Sequence, residues 1–113
     1  MGLHVPARFL HGENEMEISS LLNTHPLVLL DFHATWCEPC RWAEPIVEEV
    51  LKHFQGKIVL HKIDIDEHPS LAKDHHILSV PTFVLYRNGE EVWRMRGFDT
   101  VPKMIRSLEE KLK

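Results

Sequence analysis

Apolar residues recur along this chain with two different spacings. Residues 13–23 place Ile18, Leu21 and Leu22 on one face, as in a short amphipathic helix. Residues 27–32, just after Pro26, form an apolar run interrupted only by Asp31, the pattern of a strand buried on both faces. From Cys37 onward, Ala43, Ile46, Val47, Val50, Leu51 and Phe54 give the i, i+3, i+4, i+7 stripe of a longer helix. Gly56 is expected to end that helix and Pro45 to kink it. Residues 57–63 read as a second core strand, and residues 69–75 as a short helix with Pro69 in its first turn. Residues 82–86 and 91–95 flank Asn88-Gly89, which supplies the positive φ angles of a type I′ hairpin turn. Gly97 ends the second arm. Thr100 caps a last helix with Pro102 near its start and Val101, Met104, Ile105, Leu108 and Leu112 on one face. Residues 1–12 carry a weak pattern, either irregular or a short edge strand.

Strands that alternate with helices need crossover connections, and these cover both faces of a sheet. The closing hairpin makes that sheet mixed. The predicted class is α/β, with a central mixed sheet flanked on both faces by helices. The 113 residues fit one domain spanning 1–113. A chain of this size buries enough surface to fold without disulfides or metal. Hydrophobic content of 43% speaks against disorder. With 13 Lys and Arg against 17 Asp and Glu, the formal charge is −4, so no basic footprint for nucleic acid is present. No apolar run approaches the roughly 20 residues needed to cross a bilayer. Residues 1–11 hold one Arg and no continuous apolar segment, unlike a secretory signal. The expected location is therefore the cytoplasm.

The two cysteines, Cys37 and Cys40, are too close in sequence to staple distant segments. In a reducing compartment such a pair reads as redox or metal chemistry. It follows a buried strand and opens a long helix. There the first sulfur faces unpaired N–H groups and the positive end of the helix dipole, which favour thiolate. Cys37 in the loop is the natural attacker. Cys40, about a turn further in, is placed to resolve a mixed disulfide. The rival is a metal site. Nine histidines, among them His61, His68, His75 and His76, offer candidate partners for zinc or copper. None shows ligand spacing near the cysteines, and surface solvation explains most of them better. No metal is expected.

The run Leu30-Asp31-Phe32-His33-Ala34-Thr35-Trp36-Cys37-Glu38-Pro39-Cys40-Arg41 resembles the active-site signature of the thioredoxin family. The resemblance continues through Pro45, Lys62-Ile63-Asp64-Ile65-Asp66, Val80-Pro81-Thr82, Asn88-Gly89 and Gly97. It covers nearly everything after residue 13. It implies the thioredoxin fold, with a cis-proline loop at Pro81 facing the CxxC pair, and protein disulfide reduction by dithiol–disulfide exchange. By resemblance Cys37 is the nucleophile and Cys40 the resolving thiol. Asp31 is the buried acid behind the second cysteine, and Lys62 its neighbouring lysine. A carboxyl on a core strand should have a raised pKa and accept the Cys40 proton near neutral pH. Trp36, Val80, Pro81 and Gly97 are the implied substrate surface, with the Val80 backbone pairing strand-like to a client. The implied partners are disulfide-containing client proteins, and the implied electron donor is a flavin- and NADPH-dependent thioredoxin reductase. No bound cofactor, nucleic acid or membrane is implied, and the chain is expected to act as a monomer. An oxidase or isomerase with the same fold, or a binding module that uses its CxxC for metal or redox gating, are the rival readings.

Three residues are candidate tuning groups. Glu38 stands where the family usually has glycine. Its charge should disfavour the Cys37 thiolate by about half a pKa unit, shifting the couple by roughly 10–15 mV towards reduction at most. Pro39 completes the pair's internal dipeptide. His33 replaces a common second tryptophan; if protonated it would favour the thiolate, and if neutral it is a packing residue. Trp42 is also unusual, as a contact residue or a cover for the helix edge.

Overall fold

A computed structural model describes residues 15–113. Their elements follow the expected order: α1 (Glu15–Thr24), β1 (Leu27–His33), α2 (Glu38–His53), β2 (Val59–Asp64), α3 (Pro69–Asp74), β3 (Thr82–Arg87), β4 (Glu90–Arg96) and α4 (Val101–Leu112). The weak pattern in residues 1–12 and the first two residues of the expected first helix lie outside the described residues. The strands form one mixed sheet in the order β2-β1-β3-β4. β1 and β2 run parallel, joined by the crossover helix α2, while β3 pairs antiparallel with both β1 and β4.

Residue alternation along β1 builds two cores. Val28, Leu30 and Phe32 point to the face covered by α1 and α3, where Ile18, Leu21, Ile63, Leu71 and Val84 join them. Leu29 points to the other face, among Val47 and Val50 of α2 and Met104 and Leu108 of α4. Removing each such side chain from water contributes about 2 kcal/mol. Asp31 follows Leu29 by two residues and so falls on the α2 side, at a position where the period asks for an apolar residue.

The helix stripes behave as their spacing requires. Ala43, Val47 and Val50 of α2 are buried, with Ile46, Leu51 and Phe54 packed beside them. The helix continues past Pro45 to His53. Gly56 does not cap it directly. Gln55 and Gly56 both take positive φ, and Lys57 N–H donates to Phe54 O at 3.0 Å. That turn absorbs the first residues assigned to the second strand, so β2 begins at Val59 instead of 57. The Thr100 hydroxyl accepts the Lys103 N–H at the start of α4, as expected. Trp93 Nε1 donates to Ser107 Oγ at 2.7 Å and ties β4 to α4.

The hairpin turn takes the left-handed angles foreseen, φ 51° at Asn88 and 86° at Gly89. Gly89→Ala is expected to cost about 1 kcal/mol, read as a lower urea midpoint with unchanged slope. The second arm holds one feature with no signal in the sequence. Leu85 pairs with Trp93 and Tyr86 with Glu91, leaving Val92 as the extra residue of a bulge. Surface solvation was expected for most of the histidines, and two are exceptions. His61 is buried, and the His75 ring packs between Phe32 and Tyr86 with Nδ1 2.9 Å from Leu71 O. Among the described residues, no helix is long and apolar enough to cross a membrane.

Candidate active site

β1 ends at His33, and four residues later Cys37 caps α2. The Cys37 side chain accepts the Cys40 N–H, with N···Sγ 3.1 Å. The sulfur thus lies at the positive end of a 16-residue helix, bonded to one of the donors that helix geometry leaves unpaired. Pro39 sits in the same first turn and brings no N–H. Cys37 and Cys40 are joined as a disulfide. Both are buried with Ala34, and Ile65 and Val80 pack against them.

The two sulfurs face different surroundings. Cys40 lines a pocket of about 340 Å³ with Asp31, His33, Ala34, Thr35, Arg41, Glu44 and Lys62. Cys37 is not among that pocket's lining, and the loop that carries Val80 packs against the pair. The Val80–Pro81 peptide bond is cis, and Pro81 O accepts the Gly97 N–H at 2.7 Å. Gly97 has φ 83° with open space where a Cβ would stand. Trp36 is 64% exposed, its indole held by Nε1 donating to Asp66 Oδ2 at 2.7 Å. Trp42, on the next turn, is 60% exposed. Of the sequence candidates, Asp31, His33, Cys40 and Lys62 therefore share the pocket. Val80, Pro81 and Gly97 come together where the Val80 loop packs against the cysteine pair.

Asp31 is 7% exposed, and burial pushes its carboxyl up from 3.8 to about 6. The positive charges of His33 and Lys62 pull it back, and the Glu44 carboxylate adds to the rise. Lys62 is the register partner of Asp31. Its ammonium, however, donates to Glu44 Oε2 at 2.9 Å. Glu38, expected to act on Cys37 as a free charge, is paired with Arg41 at 3.5 Å, and Arg41 also donates to Thr35 O at 3.0 Å. Glu44, Asp66 and Arg41 are the site residues that sequence reasoning missed as functional. Glu44 had a signal: it lies one helical turn after Cys40, on the same stripe. Among the described residues, no group of three or more His, Cys, Asp or Glu side chains is arranged to hold a metal ion.

The thioredoxin family model matches residues 11–110, most of the chain. This chain belongs to the thioredoxin family. It is 43% identical over 82 residues to a thioredoxin-like protein of Synechocystis, a match covering 73% of this chain and 78% of the relative. It is 40% identical over 93 residues to chloroplastic thioredoxin Y1 of Arabidopsis thaliana, covering 82% of this chain. That match spans 54% of the Arabidopsis protein, so this chain covers about half of that relative. Among solved structures, a mutant thioredoxin from Halobacterium salinarum superposes with a TM-score of 0.77 at 32% identity, covering 88% of this chain and 87% of the other. The mixed sheet and its flanking helices are thus the thioredoxin fold, and the CxxC pair stands at the start of α2 where the sequence placed it.

Proposed function

We propose that this chain is a protein disulfide reductase working through Cys37 and Cys40. The observation that carries the reading is Cys37 as the N-cap of α2, its sulfur accepting the Cys40 N–H. Reduced, Cys37 loses its proton and attacks one sulfur of a client disulfide. The client's other sulfur leaves as a thiolate, and a mixed disulfide forms. Cys40 then gives its proton to Asp31 and attacks Cys37. The Cys37–Cys40 bond forms, the bond to the client breaks, and the client's second thiolate takes up a proton. Two electrons pass from the Cys37–Cys40 dithiol to the client disulfide.

Trp36, Val80, Pro81 and Gly97 form the client surface in this reading. Proline 81 brings no N–H to compete for the reactive sulfur, and the Val80 backbone is left to pair with an extended client strand. Lys62 and His33 temper the charge of Asp31, while Glu38 and Pro39 limit how well the Cys37 thiolate is stabilised. We assign re-reduction of the pair to a thioredoxin reductase. The chain acts as one domain and a monomer in a reducing compartment such as the cytoplasm.

The test is catalysed reduction of insulin disulfides with dithiothreitol as electron source. Reduction well above the dithiothreitol background is expected; a rate equal to that background would contradict the proposal. Pairing with Arg41 also predicts a small role for the Glu38 charge. Glu38→Gln is expected to raise the reduction potential by no more than about 10 mV, measured against a glutathione redox buffer.

A further inference from the structure

One ion pair at the site takes no part in the steps above. The Lys62 ammonium and Glu44 carboxylate, 2.9 Å apart, stand between two pockets. Asp31, Glu44 and Lys62 line both. The first pocket contains Cys40 and His33, and the second, of about 270 Å³, is bounded by Pro45, Val47, Glu48 and Leu60. Asp31 and Lys62 are opposite partners in the parallel β1–β2 ladder, so their side chains leave the sheet on the same face. From that position a lysine has two carboxylates to choose between, Asp31 on its own sheet and Glu44 on α2. Its ammonium is bonded to Glu44.

We propose that Glu44 is a positioning residue for the resolving step. By holding the Lys62 ammonium on the α2 side of the cleft, it keeps that charge from pairing directly with Asp31 and leaves Asp31 able to take the Cys40 proton at neutral pH. The proposal rests on the reductase reading with Asp31 as proton acceptor.

A carboxylate in direct contact with an ammonium is a weak base, because the contact favours its charged form. Asp31 has to take a proton from a thiol, so that contact would work against it. The other groups around Asp31 do not substitute for Glu44. His33 follows Asp31 by two residues on β1 and lines the Cys40 pocket, where it acts to lower the Asp31 pKa. Arg41 on α2 is engaged by Glu38 and Thr35 O. Glu48 on α2 borders the second pocket, away from Cys40. Opposite Asp31 on β3 stands the apolar ring of Phe83. Glu44 is held below the usual carboxylate range by its bond to Lys62, so it remains ionised through the pH range in which Asp31 titrates.

The test titrates the Asp31 carboxyl by carbon NMR in the oxidised protein, in wild type, Glu44→Ala, Glu44→Gln and Glu44→Asp. Each is repeated with Lys62→Met. The Glu44 side chain is 57% exposed, so these changes leave the core intact. Glu44→Ala and Glu44→Gln are expected to lower the Asp31 midpoint by about half a pH unit or more, and Glu44→Asp by less. In the Lys62→Met background the shift should fall by at least half. The pH profile for resolution of a mixed disulfide should move in step with the midpoint. An unchanged midpoint in Glu44→Ala would overturn the proposal. So would an equal shift with and without Lys62, since Glu44 would then act as a charge alone. The titration does not depend on turnover. A chain that shows the shift but reduces no disulfide fails as a reductase only, whereas an active chain with a fixed midpoint fails this proposal only.

Discussion

Cys37→Ser is expected to lose disulfide reductase activity by roughly 1,000-fold or more and to form no covalent adduct with clients, whereas Cys40→Ser should capture them. The two cysteines are chemically alike, so the contrast comes from position. Cys37 is the N-cap, its sulfur bonded to the Cys40 N–H at the positive end of α2. A serine hydroxyl there does not ionise near neutral pH, so the first attack has no nucleophile. Cys40 lines the Asp31 pocket, which Cys37 does not reach. Replacing it leaves the first attack intact and removes the second, and the mixed disulfide persists. A non-reducing gel with a disulfide client separates the two outcomes. Adducts on Cys37→Ser and none on Cys40→Ser would reverse the assigned roles, and full turnover by either variant would contradict the proposed mechanism.

Asp31→Asn is expected to make the protein more stable and less active, effects of opposite sign with one cause. Burial raises the Asp31 carboxyl from 3.8 to about 6 in the folded chain. The folded state therefore binds the proton more tightly than the unfolded state. Asp31 burdens folding least below pH 3.8, where both states are protonated. The burden grows as pH rises and is complete above about 6, where it reaches about 3 kcal/mol. An uncharged asparagine escapes it. At pH 7.5 Asp31→Asn should melt about 10 °C or more above wild type, and at pH 3.5 the two should nearly coincide. In the proposed mechanism the same substitution removes the proton acceptor for Cys40, so resolution of a mixed disulfide at pH 7 should slow by at least tenfold. A variant no more stable at pH 7.5, or one that resolves at the wild-type rate, would separate Asp31 from the role given to it.

These roles were legible to different depths in the sequence. The apolar run of β1 and the stripes of α2 and α4 dictated the elements, because each buries a face whose period can be counted. Asp31 was marked by the resemblance of its run to the thioredoxin signature, and its place on a core strand gave the physical reason for a raised carboxyl. The hairpin followed from Asn88-Gly89, whose backbone angles few other residue pairs adopt readily. The bulge at Val92 could not be read, since the break it makes in the alternation, Val92 beside Trp93, also fits a strand with apolar residues on both faces. Glu44 and Arg41 were missed because surface charges on a helix look alike until their partners are placed. Lys62 meets Glu44 from 18 residues away. Surface solvation was expected for most of the histidines, and which of them are the exceptions, His61 and His75, depends on tertiary neighbours that the sequence does not name.

The central claim is that the Cys37–Cys40 pair gives electrons to clients. Cys37 has one backbone donor from Cys40, no N–H from Pro39, and the acidic Glu38 beside it. The end of α2 favours the Cys37 thiolate, but with a single backbone donor it does so only moderately, and a moderately stabilised thiolate leaves the couple reducing. The most direct test is the reduction potential of the pair, equilibrated against a thiol redox buffer and read by alkylation of the free cysteines. The account predicts a value near or below about −250 mV. A value of about −180 mV or higher would place the pair among oxidants and isomerases and would contradict it.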